Sequence, residues 1–377
     1  MGGWKYLAVR KGVAMQTSKA VKKLVPLSLF LIPLVCDAKV TGPCGDCHTM
    51  HNSQGGMAVV QNMVNGAMDL SVTPNGALLN TNCIGCHQGN NGVSDLSTPY
   101  VLQTSVPTYS ATGTEAESTT LAGGNFYWVS SGNEAMGHNV SGIAPGDTRL
   151  GDIPPGGTAL ASQLQCAGAV GCHGDPAVSG EIQSMLKSHH GNDMSSWKDG
   201  TTLAKSYRFL YSIQGWEDLQ YEYRPVSNRH NKYYGIDRTL ETQNAAGSIS
   251  SLCARCHGDY HQGAGNIASL PFGTSGVWLR HPTDFDMGRA SSSNEYTTYN
   301  NGAGANNPYS VISPVATAST AETMNSTVYA AADDAIVMCL SCHRAHGTPY
   351  KAILRWDYKA WPAGGYNGCA VCHTTKD

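Results

Sequence analysis

The sequence predicts a chain that is mostly coil, with short helices and a few short strands. Three observations support this prediction. The pattern Cys-x-x-Cys-His occurs five times in 377 residues. Glycine is abundant, with 43 residues, whereas Phe occurs only five times. Outside brief segments, the apolar residues follow no sustained helical or strand period. Such a chain must obtain buried apolar surface from something other than a large polypeptide core.

The first element along the chain is a predicted secretory signal over residues 1–38. Three lysines precede an apolar run from Leu24 to Val35, and the next three residues resemble a small-x-small cleavage site. The run is too short to span a bilayer, so no membrane anchor is implied. Cys36 is left with two alternatives, removal with the signal or lipid modification. Removal is favoured because Val35 is bulky for a lipid-attachment site.

Residues 39–377 are predicted to form a single elongated unit. Residues 1–38 hold six Lys/Arg and one Asp/Glu, so their removal leaves 18 basic and 26 acidic residues, a net charge of −8. Nucleic acids and anionic membranes attract basic surfaces. The composition therefore argues against those partners and favours a soluble secreted protein.

The repeated motif is typical of c-type haem attachment. Each thiol adds to a vinyl group, and the following His becomes an axial iron ligand, the proximal ligand. A zinc ribbon needs two cysteine pairs for each metal, and neither zinc nor a disulfide framework requires a His after every pair. The five regular sites are Cys44, Cys47 and His48; Cys83, Cys86 and His87; Cys253, Cys256 and His257; Cys339, Cys342 and His343; and Cys369, Cys372 and His373.

A sixth site, third in chain order, has an irregular spacing. Cys166 and Cys172 are separated by five residues, of which four are Ala or Gly, and His173 follows directly. This compliant segment could bulge while both sulfurs reach one ring. Haem attachment is favoured, and a disulfide loop stays open as the alternative. The predicted cofactors are six haem c groups, or five if Cys166 and Cys172 form a disulfide.

The number of haems explains the weak core pattern. Six haems in 339 residues leave roughly 56 residues for each, too few to build an ordinary core around every ring. The porphyrins would supply the buried apolar surface, and the chain would wrap around them. Successive proximal histidines are 39, 86, 84, 86 and 30 residues apart. We expect each long loop to leave one haem and to return a ligand to another.

Enough histidines lie outside the motifs to give every iron a second, distal ligand. Bis-histidine ligation of six irons needs six of them, and eight are present, whereas Met ligation has no supporting pattern. The distal candidates are His51, His138, His189, His190, His230, His261, His281 and His346.

Spacing restricts three of these candidates. His51 and His346 follow a proximal His by three residues, and His261 follows one by four. Three helical residues rise only about 4.5 Å. Such a His cannot easily pass around the porphyrin to the other face of the same iron. We therefore expect it to ligate a neighbouring haem and to bring two rings close together.

Several blocks, in order along most of residues 39–377, carry a more specific resemblance. They are CGDCHTMHNSQGG at 44–56, GHN at 137–139, CHGDYH at 256–261, LRHP at 279–282, CLSCHRAH at 339–346 and the final Cys-x-x-Cys-His. The chain resembles the OmcS-type extracellular hexahaem c-type cytochromes, which polymerise into nanowires. The resemblance implies six bis-His haems in one continuous stack, with His51 ligating the fifth haem of the adjacent protomer.

The chain departs from the family pattern at the third site. No His follows three residues after His173, and the pair His189–His190 is the candidate substitute. His230 lies in an aromatic segment suited to packing on a haem face. Which of these three residues and His261 are ligands stays open.

The predicted function is extracellular long-range electron transfer, by a non-enzymatic subunit of a polymeric cytochrome filament. The predicted partners are identical subunits joined head-to-tail, redox donors and extracellular acceptors. One alternative is a monomeric periplasmic or outer-surface electron carrier. A multihaem reductase is a further alternative, but it would need an open iron position, and the surplus of histidines argues against one.

Overall fold

The chain is mostly coil in the computed structural model, which confirms the predicted fold class. Its longest helix, Ile249–Ala254, has six residues, and no strand in the described part of the chain exceeds three. The described residues are 42–70, 73–92, 98–109, 118–186, 188–190, 207, 209–238, 245–261, 281–288, 298–301, 307–321, 324–328, 333–360, 363 and 365–374.

The predicted signal, including Cys36, lies outside the described residues. Residues Ala38–Asp377 group into one compact unit. The cleavage site and the elongated shape stay predictions.

Single turns of helix occur at five of the six cysteine sites or just before them. The α-helices are α1 (Cys83–His87), α2 (Tyr127–Ser130), α3 (Glu181–Ser184) and α4 (Ile249–Ala254). The 3-10 turns are Cys44–Asp46, Gly76–Leu78, Glu134–Met136, Gly258–Tyr260, Tyr299–Asn301, Cys339–Ser341, Lys351–Ile353 and Gly368–Val371.

Polar caps begin several of these turns. Asn82 accepts a hydrogen bond from the Gly85 amide at 3.0 Å, and Ser248 accepts one from the Ser251 amide at 3.1 Å. Side-chain caps of this kind satisfy amides that lack a partner in the first turn. The caps allow a turn only one motif long to form without a longer helix.

The strands form five two-stranded ladders. They are β1 (Asn62–Val64) with β2 (Ala67–Asp69), β3 (Gln165–Ala167) with β4 (Gly171–His173), β5 (Gly215–Trp216) with β6 (Lys232–Tyr233), β7 (Phe285–Asp286) with β10 (Ile336–Val337), and β8 (Asn307–Pro308) with β9 (Thr327–Val328). The β3–β4 pair is parallel and the other four are antiparallel.

Apolar packing is divided among three small clusters, each of which includes a residue from a cysteine motif. Ile84 lies in one cluster, Val371 in a second, and Leu340 packs against the third. Burial of one such aliphatic side chain contributes about 1.5–3 kcal/mol. The limited apolar packing is therefore directed at fixing the cysteine motifs in place.

One crossing of three chain segments positions two candidate ligands. The segment at 346–348 lies between residues 123–125 and 136–138: His346 donates its amide to Gly123, Asn125 donates to Gly347, and His138 donates to the carbonyl of His346. Gly124 and Gly347 are adjacent in this crossing. The crossing fixes His138 and His346 next to each other although they are far apart in sequence.

Gly124→Ala is expected to destabilise the protein more than Gly132→Ala. Both glycines have a left-handed φ, +83° and +89°, which costs an L-residue about 1–2 kcal/mol. A Cβ on Gly124 would lie 2.2 Å from the Gly347 carbonyl oxygen, whereas one on Gly132 meets nothing within 4 Å. The clash should add roughly 1–3 kcal/mol, measured by denaturant unfolding of the haem-loaded protein. Equal losses in the two variants would contradict this role of the crossing.

A candidate chain of haem sites

Five of the six predicted proximal histidines each face a second His from a distant part of the chain. The two ring centres are 6.0–6.4 Å apart in every pair. The pairs are His48 with His190 at 6.1 Å, His87 with His189 at 6.4 Å, His173 with His346 at 6.2 Å, His257 with His138 at 6.2 Å, and His373 with His281 at 6.0 Å.

This separation fits one metal ion between two imidazoles. An imidazole nitrogen lies about 2.0 Å from a bound metal ion and about 1.1 Å from its own ring centre, so two rings that share an ion are about 6.2 Å apart. The five pairs therefore have the spacing that bis-histidine ligation requires.

Backbone carbonyls hold the rings in an orientation suited to ligation. A carbonyl can only accept a hydrogen bond, so each ring nitrogen Nδ1 that faces one must carry the proton. The other nitrogen, Nε2, then keeps its lone pair for iron. The Nδ1 acceptors are the carbonyls of Ala77 for His48 (2.9 Å), Pro99 for His87 (2.8 Å), Pro155 for His257 (2.7 Å), Ala352 for His343 (2.8 Å), Ala345 for His138 (2.6 Å) and Pro282 for His281 (3.1 Å).

The first and fifth sites use the same backbone device. Ala77 and Ala352, whose carbonyls accept from His48 and His343, both have a left-handed φ, 57° and 55°. Each alanine lies in a 3-10 turn, and the residue after the turn bridges back to the proximal His. The sequence analysis missed these acceptors. The only signal for them is the repeat of Ala-Leu-Leu at 77–79 as Ala-Ile-Leu at 352–354.

Burial favours the neutral form of five of the facing histidines, as metal ligation requires. It lowers the pKa of His173 to about 4 and that of His346 to about 3. Burial also lowers the pKa of His87, His138 and His281. Neutral imidazoles with oriented Nε2 atoms are a donor set that fits haem iron.

The third site holds its cysteines on a loop instead of a helix. Cys166 lies in β3 and Cys172 in β4, with the turn through Gly168 at a φ of +88°. Both thiols are free, and Glu181 accepts a hydrogen bond from the Cys166 amide at 2.7 Å. The loop presents His173 to His346 despite the longer spacing between the cysteines.

Thiols of consecutive sites lie next to one another, so the sites follow each other in chain order. Contact between the first cysteines raises the pKa of Cys166 beside Cys83, and that of Cys253 beside Cys339. At the other three junctions, burial is the main cause of a raised thiol pKa and a cysteine of the neighbouring site is the second cause. Those pairs are Cys86 with Cys47, Cys172 with Cys256, and Cys342 with Cys369.

One proximal His and three distal candidates have no facing His among the described residues. The proximal His343 has its Nδ1 on Ala352, but no second His ring lies opposite it in the described part of the chain. The three distal candidates are His51, His230 and His261, and of these only His51 is exposed. The hydrogen bonds of His51 to described residues involve its backbone and the side chain of Thr49.

The structure places His230 and His261 against other partners. His230 stacks on Tyr309 with ring centres 3.7 Å apart, and its two nitrogens face the carbonyls of Asn231 and Asn325. The Nε2 of His261 lies 2.6 Å from a carboxylate oxygen of Asp284, and both side chains are buried. Neither His is brought to a proximal His.

No helix in the described part of the chain is long and apolar enough to cross a membrane.

These features define a multihaem c-type cytochrome. The family described as "Doubled CXXCH motif" matches residues 330–377, which contain the last two sites. Among characterised proteins, the chain is similar to the C-type cytochrome OmcS of Geobacter sulfurreducens, with 27% identity over 370 residues, covering 83% of this chain and 78% of OmcS. This similarity confirms the resemblance found in the sequence blocks.

Two solved structures also match the chain. The first is the Outer Membrane Cytochrome S Filament from Geobacter sulfurreducens, with a TM-score of 0.46 and 22% identity, covering 85% of this chain and 84% of that one. The second is a cryo-EM structure of the OmcS nanowires from the same organism, with a TM-score of 0.45 and 23% identity, covering 84% of each chain.

His346→Met is expected to reduce the pH dependence of stability. Burial lowers the pKa of His346 from 6.5 to about 3, so between these values the unfolded chain binds a proton that the folded chain does not. The contribution of His346 is complete above pH 6.5 and is lost as pH falls, at about 1.4 kcal/mol per pH unit. Methionine can ligate haem iron without titrating. Denaturant unfolding between pH 7 and pH 5 should therefore show that the unfolding free energy of the variant depends less steeply on pH, by up to one proton. Equal pH dependence in the variant and the unaltered protein would contradict a buried, neutral His346.

Proposed function

We propose that this chain is the subunit of an extracellular filament that transfers electrons through six c-type haems, each held by two histidines. The observations that carry the proposal are the five facing His pairs, the unmatched proximal His343, and His51, the one unmatched distal candidate that is exposed. Five irons would be ligated within one chain, and the sixth by the neighbouring subunit.

The proposed distal ligands follow from the facing pairs. Adjacent residues His190 and His189 serve the first and second sites, which would hold those two haems close together. His346 and His138, fixed by the Gly124–Gly347 crossing, serve the third and fourth sites. His281 serves the sixth site. His230 and His261 are assigned structural roles, in contact with Tyr309 and Asp284.

The ligand between subunits is proposed to be His51. It follows His48 by three residues and is exposed, so it is available to another molecule. Its partner would be the iron held by His343, at the fifth site. This contact joins different surfaces of two identical chains, and such a head-to-tail contact builds an open filament unless the rotation closes a ring.

The protein residues have a positioning role in this function. When bound, haem iron supplies reversible one-electron exchange, and electrons pass between neighbouring rings. The carbonyls at Nδ1 orient the imidazoles, and the adjoining thiols of consecutive sites set the order of the haems. Filling both axial positions leaves no iron open to a substrate, which supports an electron carrier instead of an enzyme.

The filament is further supported by the similarity to OmcS, whose structures are described as a filament and as nanowires. The predicted signal over residues 1–38 supports export, and the acidic composition of residues 39–377 suits a secreted protein. The donors and the extracellular acceptors would be redox partners that exchange electrons with exposed haem edges.

His51→Ala is expected to abolish filaments and to open one iron per chain. The fifth site loses its distal ligand, so one of six haems should become high-spin and should bind carbon monoxide. His190→Ala is the matched control, because it opens the first site from within the chain and should leave filaments intact. Electron microscopy and absorption spectroscopy measure the two effects.

Filaments that persist in His51→Ala with all haems low-spin would reject ligation between subunits. Monomers of the unaltered protein, with six low-spin haems, would favour the monomeric carrier.

The purified protein is expected to carry six haems. Intact-mass measurement should show six in the unaltered chain and five in Cys172→Ala combined with Cys166→Ala. If Cys166 and Cys172 formed a disulfide, the unaltered chain would carry five, and the double variant would not change that number.

A further inference from the structure

Charged side chains lie at three of the junctions between consecutive sites and beside the fifth site. Their signs alternate along the chain of sites: Glu181 between the second and third, Arg255 between the third and fourth, Asp284 between the fourth and fifth, and Arg355 beside the fifth. None of the four is a haem attachment residue or a ligand.

Glu181 lies at the junction of the second and third sites. One carboxylate oxygen is within 4.8 Å of the sulfur atoms of both Cys83 and Cys166. The same side chain accepts the Cys166 amide at 2.7 Å, which fixes its position. It forms no ion pair with a described residue, so its negative charge acts directly on both sites.

Arg255 lies at the junction of the third and fourth sites. It belongs to the fourth motif, and its guanidinium donates to the carbonyl of Cys172, in the third motif, at 3.1 Å. The guanidinium therefore acts on both sites, although its exposure weakens the effect.

Asp284 is fully buried beside the fourth and fifth sites. It accepts a hydrogen bond from Ser248, which caps the helix that carries Cys253, and its amide donates to Val337, two residues before Cys339. The Asp284 carboxylate also contacts the Nε2 of His261, so the net charge at this junction is the sum of the charges on Asp284 and His261.

Arg355 is 4% exposed and is packed against the fifth motif. Its Nε donates to the carbonyls of Leu340 at 2.6 Å and His343 at 3.1 Å, and its amide donates to Cys342. A buried cation is therefore held against the motif whose iron would take the ligand from the neighbouring subunit.

We propose that Glu181, Arg255, Asp284 and Arg355 set the reduction potentials of the haems on either side of them, and that their alternation levels the potentials of the third, fourth and fifth haems. A reduced iron carries one more electron, so a nearby cation stabilises it and a nearby anion destabilises it. Of these four residues, one acidic and one basic residue lie beside each of the three sites. The opposing charges offset each other, so none of the three becomes a trap for electrons.

The proposal rests on the proposed six-haem function, and its test separates the two. Haem number by intact mass and the low-spin absorption spectrum are recorded first for every variant. A missing haem or an open iron in the unaltered protein would reject the proposed function. Full loading with unshifted potentials would reject only the present proposal.

The test is a potentiometric titration of Glu181→Gln and Arg355→Gln, followed by haem absorption and fitted as six one-electron steps. Glu181→Gln should shift the adjoining steps to higher potential, and Arg355→Gln should shift them to lower potential. We expect about a tenfold change in the reduction equilibrium of the nearest haem, or about 59 mV for one electron. Shifts of the same sign in the two variants, or none, would overturn the proposal.

Further variants separate charge from structure. Arg355→Lys keeps the cation but changes its hydrogen bonding, so it should restore most of the potential lost in Arg355→Gln. If Arg355 had only a structural role, the Lys and Gln variants would have the same potentials.

Arg255→Gln should produce a smaller downward shift in potential. Arg149 is exposed and contacts no described cysteine, so Arg149→Gln is the matched control and should produce no shift. Glu181→Gln combined with Arg255→Gln should return the third haem toward its original potential.

Discussion

The architecture depends on pairs of imidazole rings whose centres are held about 6 Å apart. Five such pairs occur in the described chain, and each joins residues from distant segments. Iron–nitrogen bonds across these gaps would tie the segments together. The backbone carbonyls at Nδ1 are what fix the rings, so short irregular segments with well-placed carbonyls serve this protein better than long helices would.

The same requirement explains the scarcity of regular structure. Six of the candidate ligand rings have a backbone carbonyl at Nδ1, and left-handed residues such as Ala77 and Ala352 turn a carbonyl toward the ring where a helix would bond it internally. The apolar clusters are small because they only have to hold the cysteine motifs in place. The Gly124–Gly347 crossing fixes two distant segments side by side, as a β-sheet does in other proteins.

The attachment motifs and the class of fold could be predicted from sequence because the motif is local and the coil is compositional. The rise of a helix predicted that His346 does not ligate the iron at His343, and the His346 ring lies opposite that of His173. The role of His230 could not be predicted, because it depends on Tyr309, which lies far along the chain. His261 likewise depends on Asp284. The irregular third site was ambiguous because a disulfide and a thioether pair require the same two cysteines.

Under the proposed function, a chain that leaves the iron at His343 for a neighbour and offers His51 to another chain has a direction. In a filament built through His51 and His343, every interior subunit is complete, but the two ends differ chemically. One end presents a free imidazole, and the other presents an iron with a vacant sixth position. Polarity of this kind means that growth and capping need not follow the same chemistry at both ends. A small iron ligand could stop one end and leave the other able to extend.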